Sequence, residues 1–256
     1  MSAPPLTTFG HFLDFPGWTR ASSFLSSIIE RESCTSVLEV GSGANPSLSP
    51  AEVDRRGLRY TTNDRLASEL AKADPAYDTL LLDMATASPD ELPRAAFDLV
   101  FSRMVNEHVV NGERYHRNIF HLLRPGGVTA HCFSTLYALP FVLNRLLPEQ
   151  LTGRMLDVFN SRDRYQHDKF AAHYSWSRGP TKRMIKRLSG LGYEIVEYRG
   201  YFGHDYYSHP LLSPLGALEE AKAEWLCEHP IPALTSYAVA ILRRPAVAGA
   251  VGARSV

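Results

Sequence analysis

The sequence predicts an α/β chain built on a doubly wound, mostly parallel sheet. Three observations carry that prediction. Short apolar runs of strand length alternate with segments whose apolar residues recur at helical spacing, the pattern of a parallel sheet covered on both faces. The first run, Val37 to Val40, stops at Gly41-Ser42-Gly43. The next two runs each stop at an aspartate, Asp64 and Asp83. Doubly wound sheets place ligands beyond the carboxyl ends of their strands, so glycines and acids at those ends read as a site.

The elements follow in order. Phe24, Leu25, Ile28 and Ile29 set a first helix from Thr19, closed by the polar run Arg31-Glu32-Ser33. Val37 to Gly41 is a buried strand. Ser49-Pro50-Ala51-Glu52 is a capping box with proline at the first helical position, and its helix ends at Gly57. Leu58 to Asn63 is strand two, and Leu66 to Ala73 a short helix of good helix formers. Thr79 to Leu82 is strand three and Phe97 to Phe101 strand four. Glu113 to Leu123 is an amphipathic helix, after which Pro125-Gly126-Gly127 turns the chain into strand five, Val128 to Phe133. Thr181 to Leu191 is a helix closed by Gly192, Tyr193 to Tyr198 a strand, Ala217 to Cys227 a helix and Ser236 to Leu242 the last strand. That ending fits a final strand inserted antiparallel.

Leu136 to Ser177 breaks the pattern. Phe141, Leu143, Leu146, Leu147, Met155 and Phe159 lie on helix-like segments punctuated by Pro140 and Pro148. A block of about forty residues is too long for a simple connection between sheet elements. It is expected to form a helical cap over the carboxyl edge. The resulting organisation is an N-terminal helical segment over 1–35, a ligand-binding core over 36–135, the cap over 136–178, a completion of the sheet over 179–245 and a disordered tail over 246–256.

Composition narrows the function. The chain has 256 residues, with 27 Lys plus Arg against 27 Asp plus Glu. A balanced charge argues against a life on nucleic acid, where a basic face supplies most of the affinity. No stretch reaches the ~20 apolar residues of a membrane span. Met1 to Gly17 holds no basic region followed by an apolar one, so no leader is expected. Cys34, Cys132 and Cys227 are scattered and odd in number, which suggests neither a disulfide framework nor a zinc knuckle. Cys132 lies in the apolar run Val128 to Phe133 and reads as core. A cytoplasmic monomer or homodimer acting on a small molecule is the expectation.

The glycine turn selects among ligands. A dinucleotide needs G-x-G-x-x-G followed at once by a helix facing the pyrophosphate. Here Pro46 holds the third glycine position and the helix waits until Ser49. Glu39 sits two residues before the first glycine, where a carboxylate can reach an ammonium group. A lone glutamate inside an apolar strand costs several kcal/mol without a partner. Asp64 can accept both ribose hydroxyls of an adenosine, or cap the turn at Arg65. Asp83 can accept an exocyclic amine, while Met84 packs either on a ring face or in the core.

The ordered set Leu38-Glu39-Val40-Gly41-Ser42-Gly43, Asp64, Leu82-Asp83-Met84, Phe97-Asp98-Leu99-Val100 and Leu123-Arg124-Pro125-Gly126-Gly127 resembles the motifs of class I methyltransferases. The resemblance covers Ser36 to Ser134. It implies a Rossmann-like sheet of seven strands with the last reversed, and S-adenosyl-L-methionine as cofactor. It assigns Glu39, Gly41, Ser42 and Gly43 to the methionine end of the cofactor, Asp64 to the ribose, and Asp83 with Met84 to the adenine. Ser102 and Arg103 fall on the sulfonium side. Asn45, also placed at the cofactor, replaces a frequent third glycine. Glu107-His108 is similar to the Glu-His of quinone-type O-methyltransferases, some of which use an E-x-x-E-H metal site; Met104 stands at the first of those positions, so no metal is expected. No Asn-Pro-Pro-aromatic motif of nucleic-acid modification follows strand four.

The methyl acceptor is less legible. His204, His167 and His173 are the candidate bases, and Asp205, Tyr206, Tyr207 and His108 the candidate substrate contacts. The stretch Tyr201 to Pro210 reads either as a site for a polar ring or as an aromatic loop packed under the sheet edge. The region after strand five resembles small-molecule methyltransferases of bacterial secondary-metabolite or saccharide pathways. Two activities stand at this point: methyl transfer to oxygen or nitrogen of a small polar metabolite, and a rearrangement or cyclisation on a fold that keeps the cofactor as a prop.

Overall fold

The computed structural model describes residues 6–136, 171–207 and 213–246. Among them lie eight strands: β1 (Thr7–His11), β2 (Ser36–Val40), β3 (Arg59–Asp64), β4 (Asp78–Leu81), β5 (Phe97–Arg103), β6 (Leu123–Ser134), β7 (Glu194–Phe202) and β8 (Tyr237–Arg243). They form one sheet in the order β1-β7-β8-β6-β5-β2-β3-β4. Only β8 is reversed, pairing antiparallel with both β6 and β7. The reversal of the last strand is therefore as expected.

The strand count is not. β1 lies parallel to β7, from Thr7 opposite Tyr198 to His11 opposite Phe202. The segment 1–35 is thus strand plus helix, not helical alone. The reason is physical: β1 is a five-residue edge strand, half-buried throughout, without an apolar alternation. Its partner's backbone defines it.

Helices α1 (Ala21–Glu32), α2 (Pro50–Arg56), α3 (Ala67–Leu70), α4 (Gly112–Leu122), α5 (Lys182–Gly190) and α6 (Ser213–Glu228) complete the described structure. The start of α2 matches the capping signal: the Ser49 hydroxyl accepts from the Glu52 amide, and Gly57 closes the helix at φ 61. Alternation along the strands makes two cores. Val37, Leu99, Phe101 and Val128 face Leu25, Ile28, Ile29 and Val53 of α1 and α2. Leu38, Val100 and Ala240 face Tyr115, Ile119 and Leu122 of α4 and Met184 and Leu188 of α5. Each fully buried Leu or Ile contributes roughly 1.5–3 kcal/mol, so both layers are pinned.

The expected cap over 136–178 lies outside the described residues from 137 to 170, as does the tail from 247. Its two described ends meet at the sheet edge: the Leu136 amide bonds to the Ser177 carbonyl at 3.4 Å, and those of His173 and Tyr174 to the Glu107 carbonyl at 2.7 and 2.9 Å.

Candidate functional site

Because β2, β3, β4, β5, β6 and β7 run parallel to one another, their carboxyl ends share one edge. Two glycines there adopt the left-handed conformation, Gly41 at φ 68 and Gly43 at φ 45. A Cβ on Gly43 would lie 3.0 Å from Asp64 Oδ2 and 3.0 Å from Glu69 Cβ. The loop thus packs directly on the carboxylate that ends β3, an approach only glycine permits. The Ser42 amide bonds to the Asn63 carbonyl at 3.1 Å, and the Asn45 amide to the Ser42 carbonyl at 2.8 Å. Asn45 itself is exposed.

Glu39 is buried at 2 % exposure and fully engaged. Its Oε2 accepts from the Ser47 amide at 2.7 Å and from the Tyr60 hydroxyl; its Oε1 accepts from the Ser47 hydroxyl at 2.6 Å. Burial pushes its proton affinity up, against those hydrogen bonds and the nearby charge of Arg103. The glutamate pins the loop from Gly41 to Leu48 onto β2 and β3. Arg103, half-buried, ends β5 opposite Cys132 of β6, and its charge acts on Glu39.

The two later acids are arranged alike. Asp64 Oδ1 accepts from the Leu66 amide at 2.9 Å, and Asp83 Oδ1 from the Ala85 amide at 2.8 Å. Each turn uses one carboxylate oxygen and leaves Oδ2 without a hydrogen bond among the described residues. Asp64 therefore ends a turn at Arg65 and still presents an oxygen to the edge. Met84 is a correction: at 3 % exposure its side chain belongs to the second core, where Asn118 bonds its carbonyl at 3.0 Å. Packing against α4 outweighs an open ring face. Ser102 is another. Its hydroxyl is wholly buried, 2.7 Å from His131 Nδ1 and 3.1 Å from Asn106 Oδ1, so any contact from Ser102 to a ligand runs through its main chain.

The acceptor candidates separate. His204 follows Gly203, whose φ is 85, and turns its ring under α6. Its Nε2 lies 3.5 Å from Glu219 Oε1, and Tyr206 and Tyr207 pack on it with centroids at 5.4 and 4.9 Å. Burial holds its proton affinity below the usual range despite Glu219. The geometry favours a locking role for His204, because the imidazole faces a helix. His173 is exposed and tied to Glu107 by its backbone. His167 lies outside the described residues, as do Ser208 to Pro210. His108 Nδ1 is 3.3 Å from the Ala171 carbonyl, where it holds the returning chain. Asp205, Tyr206 and Tyr207 are half-buried, and Tyr206 packs against the first core.

Sequence reasoning missed the residue with the most unusual surroundings. Glu107 is 3 % exposed, in a short turn after β5. Its Oε1 accepts from the Ser134 hydroxyl at 3.0 Å, while Oε2 has no partner among the described residues. The Glu-His pair was visible as a motif, but nothing local revealed its burial.

A glycine loop seated on an acid, at the carboxyl edge of a sheet with a reversed strand, is the arrangement the resemblance to class I methyltransferases leads one to expect. The comparisons agree. Residues 38–130 match the family model described as a methyltransferase domain. S-adenosyl-L-methionine is the cofactor of that domain class. No curated protein sequence matches the chain. Among solved structures, the citrinin polyketide synthase CMeT domain is 16 % identical with a TM-score of 0.53, covering 89 % of this chain and 52 % of that one. Phosphoethanolamine N-methyltransferase 2 of Haemonchus contortus is 13 % identical at 0.53, covering 87 % and 52 %. The [4+2]-cyclase SpnF is 16 % identical at 0.52, covering 89 % and 82 %. The chain spans about half the length of the first two. These likenesses show the fold. No described helix is long and apolar enough to cross a membrane.

Proposed function

We propose that the chain transfers a methyl group from S-adenosyl-L-methionine to oxygen or nitrogen of a small polar metabolite. The observation that carries the reading is the packing of Gly43 on Asp64. It leaves a carboxylate oxygen at the end of β3, beside a loop whose two glycine positions have no room for a side chain. In this reading Asp64 holds the ribose hydroxyls and Asp83 the adenine amine. The backbone of Gly41, Ser42, Gly43 and Asn45 lines the methionine end, held in shape by Glu39, with Arg103 near the cofactor's carboxylate. The bound cofactor supplies an electrophilic methyl on a sulfonium. The protein's own work is to orient the acceptor and exclude water, which can supply most of the rate. The segment from 137 to 170 leaves and re-enters at this edge, which supports a substrate-side role for it. Three free thiols suit a reducing compartment such as the cytoplasm.

Calorimetry with S-adenosylmethionine and S-adenosylhomocysteine tests the reading. Binding of both, weakened by Asp64→Ala, is the expected result; no binding by the unaltered chain ends it. A second reading has one observation in its favour: a cyclase shares the fold. There the cofactor stays intact and the product is an isomer. Product mass separates the two, since methylation adds one methylene and cyclisation adds nothing.

A further inference from the structure

We propose that Glu107 is the group that receives the acceptor: it binds the hydrogen on the reacting oxygen or nitrogen and takes that proton as the methyl arrives. This rests on the methyltransferase reading above and deepens it. Glu107 Oε1 is held by the Ser134 hydroxyl at 3.0 Å, and Oε2 has no hydrogen-bond partner among the described residues, although the residue is 3 % exposed. Neither protonation state satisfies it. As a carboxylate, or as an acid protonated on Oε1, Oε2 lacks a donor; as an acid protonated on Oε2, its hydrogen lacks an acceptor. Buried groups left this way cost about 1–3 kcal/mol, so each calls for a completing partner such as water, an ion or a ligand.

The position fits a ligand. Glu107 lies at the carboxyl edge, between the end of β5 and the end of β6, and its carbonyl anchors the chain returning at His173 and Tyr174. Its charge is felt by Tyr115 of α4, Cys132 of β6, Tyr174 of the returning chain and Tyr206 after β7, and His108 lies beside it. Phenols on these elements make a setting that is apolar in body and polar in tip, suited to a ring or short chain bearing one hydroxyl or amine. A carboxylate guest would meet Glu107 as a like charge. The step balances. The acceptor's lone pair forms the new bond to the methyl carbon as its O–H or N–H proton passes to Glu107 Oε2. The carbon–sulfur bond breaks with its electron pair left on sulfur, and Glu107 later returns the proton to water.

The test uses the full chain saturated with S-adenosylhomocysteine and four probes: phenol, benzyl alcohol, benzylamine and benzoate, titrated by ligand-observed NMR. The hydrogen-bearing probes should bind and benzoate should not; the alcohol and amine arms tell oxygen from nitrogen acceptors. Glu107→Gln keeps the shape and the Ser134 bond, and should weaken the binding probe by about tenfold or more. Glu107→Asp should recover part of that loss, and neither variant should alter affinity for S-adenosylhomocysteine. Equal probe binding by Glu107→Gln, or no binding of any hydrogen-bearing probe, overturns the assignment. Failure to bind S-adenosylhomocysteine at all would instead sink the methyltransferase reading.

Discussion

The two halves of the carboxyl edge treat a buried glutamate in opposite ways. On the β2–β3 side, Glu39 has three donors on its two oxygens. On the β5–β6 side, Glu107 has the Ser134 donors on one oxygen and none on the other. Both sit near 2–3 % exposure, and burial raises the proton affinity of both. Similar burial with different partnering teaches that the first acid is a fixture of the loop, while the second is held incomplete. The first half is built to shape a backbone, the second to meet a guest.

The largest expected effect breaks the first half. Glu39→Ala strands the Ser47 amide, the Ser47 hydroxyl and the Tyr60 hydroxyl, and should cost about 3–5 kcal/mol in denaturant unfolding. A loss below about 1 kcal/mol would refute the role of loop fixture. Next, Asp64→Ala should weaken S-adenosylhomocysteine binding by about tenfold to hundredfold. Its cost to stability should be smaller, because only the turn bond to Leu66 is lost.

The third prediction reverses the sign. Burial raises the folded-state proton affinity of Glu107, so its contribution to stability is complete at acid pH and falls as pH rises through the raised value. Glu107→Gln should therefore match the parent near about pH 4 and exceed it near about pH 8. A gain of about 1 kcal/mol would raise Tm by roughly 2–4 °C for a chain of this size. Comparing variant with parent at each pH cancels the parallel titration of Glu39. A variant less stable than the parent at alkaline pH would make Glu107 a fixture like Glu39. The smallest effect is a control outside both halves: Thr181 caps α5 through the Met184 amide at 3.3 Å. Thr181→Ala should cost about 1 kcal/mol and leave cofactor binding unchanged.

Much of the fold was legible because its signals are local. The Ser49-Pro50 start of α2, the Gly57 stop and the Asp64 strand end depend on residues within one turn of each other. Strand β1 is not legible because its strand character lies in hydrogen bonds to β7, 191 residues away in sequence. The sequence leaves Met84 open between a ring face and the core and places Ser102 on the sulfonium side by resemblance alone; both side chains point into a core that only α4 and β6 create. His204 was named as a base for its place in an aromatic stretch, and the fold turns it under α6.

The sequence by itself determined the sheet, its reversed strand and the glycine-and-acid edge, because hydrophobic period, caps and turn residues act over a few positions. Only the tertiary structure decided which of those acids are satisfied. That property belongs to pairs far apart in the chain: Glu39 with Tyr60, and Glu107 with Ser134. Burial without a partner is a statement about every neighbour at once, and no local pattern of residues encodes it.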